Sequence, residues 1–392
     1  MSGPSNSHKG ARRLDAEARI ALVQLSGMGP ARTRWLLSEH EPHEVVARLR
    51  SGRFPVPEHA APPGLQKKHL SEWASVLAKL DSSALYQTQV DKGWTILVPD
   101  DPRWPFTDEP EPPLVLFCEG DVDLLAHRPA VAIVGTRRCT SVGRTVAYQL
   151  GADLASADVA VLSGLALGVD AAAHHGALDH GGAAVGVVGT GLDVVYPRRN
   201  RTLWADMGKA GLLVSEYPAG MQPDRWRFPA RNRIMAALSD GVVVVESHAR
   251  GGSLLTADEA ADRDRPVMAV PGAVVNPAAD GTNLLIIDGA TPVRNGSDVL
   301  GVIGHHPLAQ AENQQQLDLE VLSSGEGEGQ PISLVDLIRR EVGSGSVSMD
   351  RLVVVSGRSP GEVVQAVDLL QQQEEVWVDG TTVYWSSGPQ GP

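Results

Sequence analysis

Apolar residues recur at helical spacing through Leu14-Asp-Ala-Glu-Ala-Arg-Ile-Ala-Leu-Val-Gln-Leu25, which predicts an amphipathic helix. Gly27-Met-Gly-Pro30 breaks the pattern, and a second helix follows through Trp35, Leu36 and Leu37. Two outlines fit this head equally. One is a helix-hairpin-helix whose glycine turn offers backbone N–H groups to a phosphate. The other is an ordinary αα-hairpin in a small helical domain. A proline-rich stretch from Phe54 to Pro63 interrupts the pattern, and a further helix is expected around Lys68 to Leu80.

From about residue 92 the period changes. Continuous apolar, β-branched runs appear at Trp94–Val98, Leu114–Phe117, Val131–Val134, Val159–Leu162, Ala184–Val188, Leu212–Val214, Val242–Val245 and Val267–Val270. Helical stretches separate most of them, for example Val142–Ala155, Asp170–Leu178, Arg231–Leu238 and Leu254–Asp264. Strands without polar alternation belong to a sheet covered on both faces, so the expected core is a doubly wound, mainly parallel, Rossmann-like α/β sheet. After a polar stretch, helices at Ser333–Arg340, near Met349–Leu352 and at Ser359–Gln373 precede two short strands around Asp379-Gly380, a winged-helix outline. The expected organisation is a disordered tail (1–13), a helical helix-hairpin-helix or SAM-like domain (14–90), a Rossmann-like domain (91–300), a linker (301–330) and a winged-helix domain (331–388).

Composition narrows the function. The 392 residues are 42% hydrophobic and 21% charged, which is ordinary for a soluble globular protein of two or three domains. No apolar run of about 18 residues offers a membrane span, and the polar N-terminus lacks the apolar core of a secretory signal. Two lone cysteines, Cys118 and Cys139, fit a reducing cytosol. The His174-His175 and His305-His306 pairs are adjacent rather than helix-spaced and there is no C-x-x-C, so packing or surface roles are expected, with no metal and no cofactor.

Charge changes the picture more. The whole chain carries −13, yet from Arg198 to Arg233 eight basic residues stand against three acids. Within that stretch lies Arg225-Trp-Arg-Phe-Pro-Ala-Arg-Asn-Arg233, where guanidinium groups alternate with Trp226 and Phe228. Such forks grip phosphate oxygens, and flat rings stack on bases whatever the sequence. From residue 301 onward the balance reverses, with four arginines against thirteen acidic residues. The last helix there holds Glu362 and Asp368 and no cation, so this module suits a protein contact better than DNA.

Ligands of an open parallel sheet sit beyond the carboxyl ends of its strands. Here those ends are glycine-rich: Gly135-Thr-Arg-Arg138, Ser163-Gly164, Gly189-Thr-Gly191, Glu246 to Ser253 and Pro271-Gly272. Glycines let a backbone approach an anion, and helices open directly after several of these turns. None is a dinucleotide or Walker fingerprint. Ser163, Ser215 and Ser253 lack a G-x-S-x-G context, and no nucleophile–base set is evident. Asp170, Glu216 and Glu246 near strand ends fit helix-cap or ion-pair roles better than catalysis.

These motifs resemble the DNA-processing protein DprA/Smf family. The resemblance runs through Val131-Ala-Ile-Val-Gly-Thr-Arg-Arg-Cys-Thr140, Leu162 to His174, Val188 to Pro197, Ser215-Glu-Tyr-Pro218, Phe228-Pro-Ala-Arg-Asn-Arg-Ile234, Gly252-Ser-Leu-Leu-Thr256 and Ala269-Val-Pro-Gly272, densely over residues 92 to 292. It implies a cytoplasmic, homodimeric, non-enzymatic protein that binds single-stranded DNA, protects it and helps load the RecA recombinase in natural transformation. It also implies that Gly135, Thr136 and Arg137 form a phosphate loop, Ser163 and Gly164 a second loop, and Phe228, Arg231, Asn232 and Arg233 a DNA-contacting segment. Arg138, Gly252 and Ser253 complete the candidate DNA- and phosphate-binding set. Leu167 stands where the family commonly has arginine, and Gly251 replaces its usual serine. Two other readings differ in class: a nucleoside-monophosphate phosphoribohydrolase, loosely suggested by Arg250-Gly-Gly-Ser-Leu-Leu-Thr-Ala-Asp-Glu259, and a nucleotide-sensing module.

Overall fold

The computed structural model describes residues 6–54, 62, 65–126, 129–305, 334–342, 346–373, 375–379 and 382–385. The chain divides into two compact units, Met1–Gln310 and Ala311–Pro392.

The first unit opens with five helices: α1 Asn6–Val23, α2 Pro30–Leu36, α3 Pro42–Arg50, α4 Lys67–Lys79 and α5 Ser82–Asp91. The expected tail over 1–13 is corrected here, because α1 is already helical from Asn6. Long-range bonds invisible to local pattern hold this helix: Arg12 donates to the Asp100 carbonyl (2.9 Å) and Arg13 to Ser83 (3.1 Å). Helix α5 was hidden in the pattern by Gln89, a polar residue that is fully buried because its amide accepts the Ala219 N–H at 2.9 Å. One hydrophobic cluster runs from Ile20, Leu36, Leu49 and Trp73 of this head into Trp94, Phe117 and Leu213 of the sheet.

The sheet has nine strands: β1 Thr95–Leu97, β2 Leu116–Gly120, β3 Ala130–Val134, β4 Ala160–Ser163, β5 Ala184–Val188, β6 Leu212–Ser215, β7 Gly241–Val244, β8 Val267–Ala269 and β9 Thr291–Pro292. Their order is β1-β2-β6-β5-β4-β3-β7-β8-β9, with β2 antiparallel to both its neighbours, β1 and β6, and every other neighbouring pair parallel. Six α-helices lie between successive strands, α6 Ser141–Ser156, α7 Val169–Asp179, α8 Arg201–Ala210, α9 Arg227–Ala237, α10 Leu254–Ala261 and α11 Asp280–Ile287, and α12 Gly296–Val302 follows β9. Side chains alternate across the pleat, so Val131 and Ile133 join the cluster with Leu150 and Leu154 of α6. Ala132 and Val134 join the opposite one, with Ile234 of α9 and Ala260 of α10. Both faces are dry, which is why the strands read as unbroken apolar runs.

The second unit contains α13 Leu334–Val342, β10 Ser346–Ser348, α14 Met349–Ser356, α15 Pro360–Gln372, β11 Val376–Asp379 and β12 Thr382–Trp385, in a three-stranded sheet ordered β10-β12-β11. It has its own core, including Ile338, Leu352, Val363, Val367, Leu370 and Val383. The expected hairpin is present, with Val378 opposite Val383, although its Gly380 lies outside the described residues. The linker beyond His305 also lies outside them. No helix among the described residues is long and apolar enough to cross a membrane.

Candidate nucleic-acid interface

From β3 the chain steps through β4, β5 and β6 toward one edge, then returns to place β7 on the other side of β3. The loops after β3 and β7 therefore diverge, and the crevice between them is the position where doubly wound sheets bind ligands. A cleft of about 670 Å³ opens there.

Two ties set its floor. Thr136 N donates to the Glu246 carbonyl at 2.7 Å, and the Glu246 carboxylate accepts from Thr140 N (2.8 Å) and Thr140 Oγ1 (2.6 Å). Thr140 in turn caps α6 through Gly143 N at 3.0 Å. Gly168 adopts φ +84°, and a Cβ there would strike the Thr136 carbonyl and lie 2.9 Å from that of Arg137. Only glycine lets the β4–α7 turn support the Arg137 loop so closely.

Above this floor stands a stack. The Arg137 guanidinium lies 5.4 Å from the Phe228 ring centroid, and Phe228 packs on Tyr196 at 5.3 Å with 30° between planes. Cation and rings thus meet at one wall, where a base could stack and its phosphate find a guanidinium. Below lies Arg231, almost fully buried, with Nη1 donating to the Val187 carbonyl and Nε buried without a partner. Burial pulls its pKa down to about 10, against the opposing pull of Asp170. Burial pushes the Asp170 carboxyl up, while Arg231 and the N–H groups of Gly164 (3.1 Å) and Ala166 (3.4 Å) favour its charged form. A further wall is the start of α10, whose Ncap Ser253 makes no capping bond within the helix and instead donates to Ser247 Oγ at 2.9 Å. The Leu254 and Thr256 N–H groups are bonded to the Gly251 and Ser253 carbonyls, and the positive end of the helix dipole faces the cleft.

Nine of the twelve candidate residues line this cleft: Gly135, Thr136, Arg137, Arg138, Phe228, Arg231, Asn232, Gly252 and Ser253. Gly164 lines a smaller pocket of about 90 Å³ that shares Arg137, Phe228 and Arg231. Two do not face it. Ser163 is fully buried and donates to the Ile133 carbonyl at 2.6 Å, so it ties β4 to β3. Arg233 lies among the residues of a different cleft, donating to Glu216 (2.5 Å) and to the Glu111 carbonyl (3.1 Å). Helical periodicity explains this, because residues two apart on α9 point in different directions. Trp226 is likewise absent from the first cleft. Sequence reasoning missed Tyr196, whose signal was its place in the loop after β5, and gave Arg225 only as part of a charge cluster although it lines the cleft.

Residues 95–304 match the family model described as DNA recombination-mediator protein A. The chain belongs to that family. It is 43% identical to the DNA processing protein DprA of Streptococcus pneumoniae over 197 residues, which is 50% of this chain and 69% of that protein. The putative DNA processing protein DprA of Mycobacterium tuberculosis (strain H37Rv) is 37% identical over 295 residues, covering 71% of this chain and 74% of the relative. The X-ray structure of DNA processing protein A from Streptococcus pneumoniae superposes with a TM-score of 0.60 at 32% identity, covering 73% of this chain and 97% of the other. The family match spans the whole sheet and its cleft. Its two departures have physical readings: a Cβ at Gly251 would collide with Ser247 Oγ, so a hydroxyl already occupies that space, and Leu167 gives the smaller pocket an apolar wall.

Proposed function

We propose that the protein binds single-stranded DNA without sequence preference in the cleft between the β3 and β7 loops. It protects the strand and passes it to a RecA-type recombinase during transformation and recombination, acting as a cytoplasmic homodimer. The observation that carries this reading is the Arg137–Phe228–Tyr196 stack beside the buried Arg231 and the N-terminal end of α10. It offers a ring for a base and cations for phosphate, but no helix shaped to read a major groove. A non-enzymatic role is supported by the carboxylates, which are already engaged: Asp170 with backbone N–H groups, Glu216 with Arg233, Glu246 with Thr140 and Glu259 with Arg263 (2.6 Å).

Salt-dependent gel shifts with single- and double-stranded oligonucleotides test the reading, and tighter binding of the single strand is expected. Equal affinity for the duplex at the same salt would overturn it. Within the cleft the two halves of the stack separate by salt. Phe228→Ala is expected to cost ~1–3 kcal/mol of affinity and leave the salt slope alone, since no charge is lost. Arg137→Ala should flatten the slope by about one unit.

The acidic second unit predicts a different outcome. Removing residues beyond about 305 deletes four arginines against thirteen acids, and α15 carries Glu362 and Asp368 without a cation. Single-strand affinity is expected to hold, or to rise slightly at low salt and converge with the full chain as screening increases. Recombinase loading should suffer instead. A large loss of DNA affinity on truncation would show that this unit grips the strand.

A further inference from the structure

On the reading of the first cleft above, we infer that the bound strand continues over the N-terminal end of α9 and that a later base stacks on Trp226, in a second cleft against the helical head. This cleft, about 620 Å³, lies between the α1–α2 turn (Ser26 to Pro30) and Tyr217, Trp226 and Arg227. Residues 225–228 form the ridge between the two clefts. Arg225 and Phe228 line the first, while Trp226 and Arg227 line the second. The two residues are at most about 7 Å apart along the chain, so one extended strand crossing the ridge can meet both rings.

Trp226 is built as a platform. It is 45% exposed, an uncommon state for an indole in a folded protein. Its Nε1 donates to Asp224 Oδ2 at 2.8 Å, which fixes the ring and uses up its polar atom. The Arg227 guanidinium stands 5.2 Å from both the Trp226 and the Tyr217 centroids, and the two rings meet edge to face at 6.2 Å. A rigid indole with an open face stacks a base at little entropic cost. Arg227 and Arg233 are balanced by Asp224 and Glu216. A charge-balanced cleft suits an uncharged base, and phosphate is left to Arg225 on the ridge.

The test uses the full chain, oligothymidylates of two lengths and Trp226→Ala. About four nucleotides fill the first cleft alone, and about twelve also reach the second. Trp226→Ala should weaken the longer strand about five- to a hundredfold and leave the shorter one unchanged. Trp226→Phe should restore most of the loss, because a ring remains. Saturation with the longer strand should also quench indole emission more in the parent than in Trp226→Phe. Equal losses at both lengths, or none at either, would overturn the second site. So would intact DNA binding with lost recombinase binding, which assigns the cleft to a protein. If Phe228→Ala leaves the short strand unaffected, the first cleft is the part that fails.

Discussion

Arg233→Ala is expected to lower stability by about 3–5 kcal/mol and to leave affinity for a short oligonucleotide unchanged. The family resemblance groups Arg233 with the DNA-contacting segment, but the structure pairs it with Glu216 across 2.5 Å, with the two side chains 7% and 11% exposed. Removing one partner of such a pair strands the other charge away from water, and that desolvation penalty sets the size of the effect. Against a typical total of about 5–15 kcal/mol, the loss is large. A urea midpoint measured beside the affinity decides the matter. Arg233→Met with Glu216→Leu should recover much of the midpoint, because a matched apolar pair leaves no stranded charge. Arg137→Ala, at an exposed side chain, is the opposite case: affinity falls and the midpoint holds. Lower affinity of Arg233→Ala for the short strand with an unchanged midpoint would place Arg233 in the first cleft after all.

The strands of the sheet were legible because burial on both faces leaves a plain signature, unbroken β-branched runs, and eight of the nine were located from it. The ninth, Thr291–Pro292, is two residues long at an edge, too short for any period to register. Helices α5 and the first turns of α1 escaped for another reason. Their positions depend on partners far along the chain, such as Ala219 for Gln89 and Asp100 for Arg12. The loops of the cleft were legible as glycines at strand ends, since topology alone brings such ends together. Orientation along α9 was not. Composition marks Arg225 to Arg233 as one cationic segment, but the helix distributes it over two clefts, so Phe228 and Arg231 part from Trp226 and Arg233. Ser163 misled in a similar way: a small polar residue at a strand end suits a ligand loop, yet its hydroxyl satisfies a carbonyl inside the sheet.

Gly164→Ala is expected to cost as much single-strand affinity as Arg231→Ala, and the combined variant no more than either alone. The resemblance assigns Gly164 to a loop that approaches phosphate. The geometry gives it a different task, because a Cβ there would lie within 2.5 Å of Arg231 Cζ. Real Cβ atoms do not come that close, so the guanidinium must leave its seat. Arg231 has little freedom to yield: its Nη1 is bonded to the Val187 carbonyl and lies 3.5 Å from Met235 Sδ, and the side chain is buried beside the Asp170 charge. Displacing it removes a preoriented cation from beneath the ligand, and a hydrogen bond to a charged group is worth about 1.5–3 kcal/mol, roughly ten- to a hundredfold in affinity. Residues that act through one another give non-additive losses, which a double-mutant cycle on Gly164 and Arg231 measures directly. Both single variants should also show a flatter salt dependence, since each takes the same charge away from the phosphate. Losses that add in the double variant would mean that Gly164 meets the strand itself, and that its missing side chain serves the phosphate rather than the arginine.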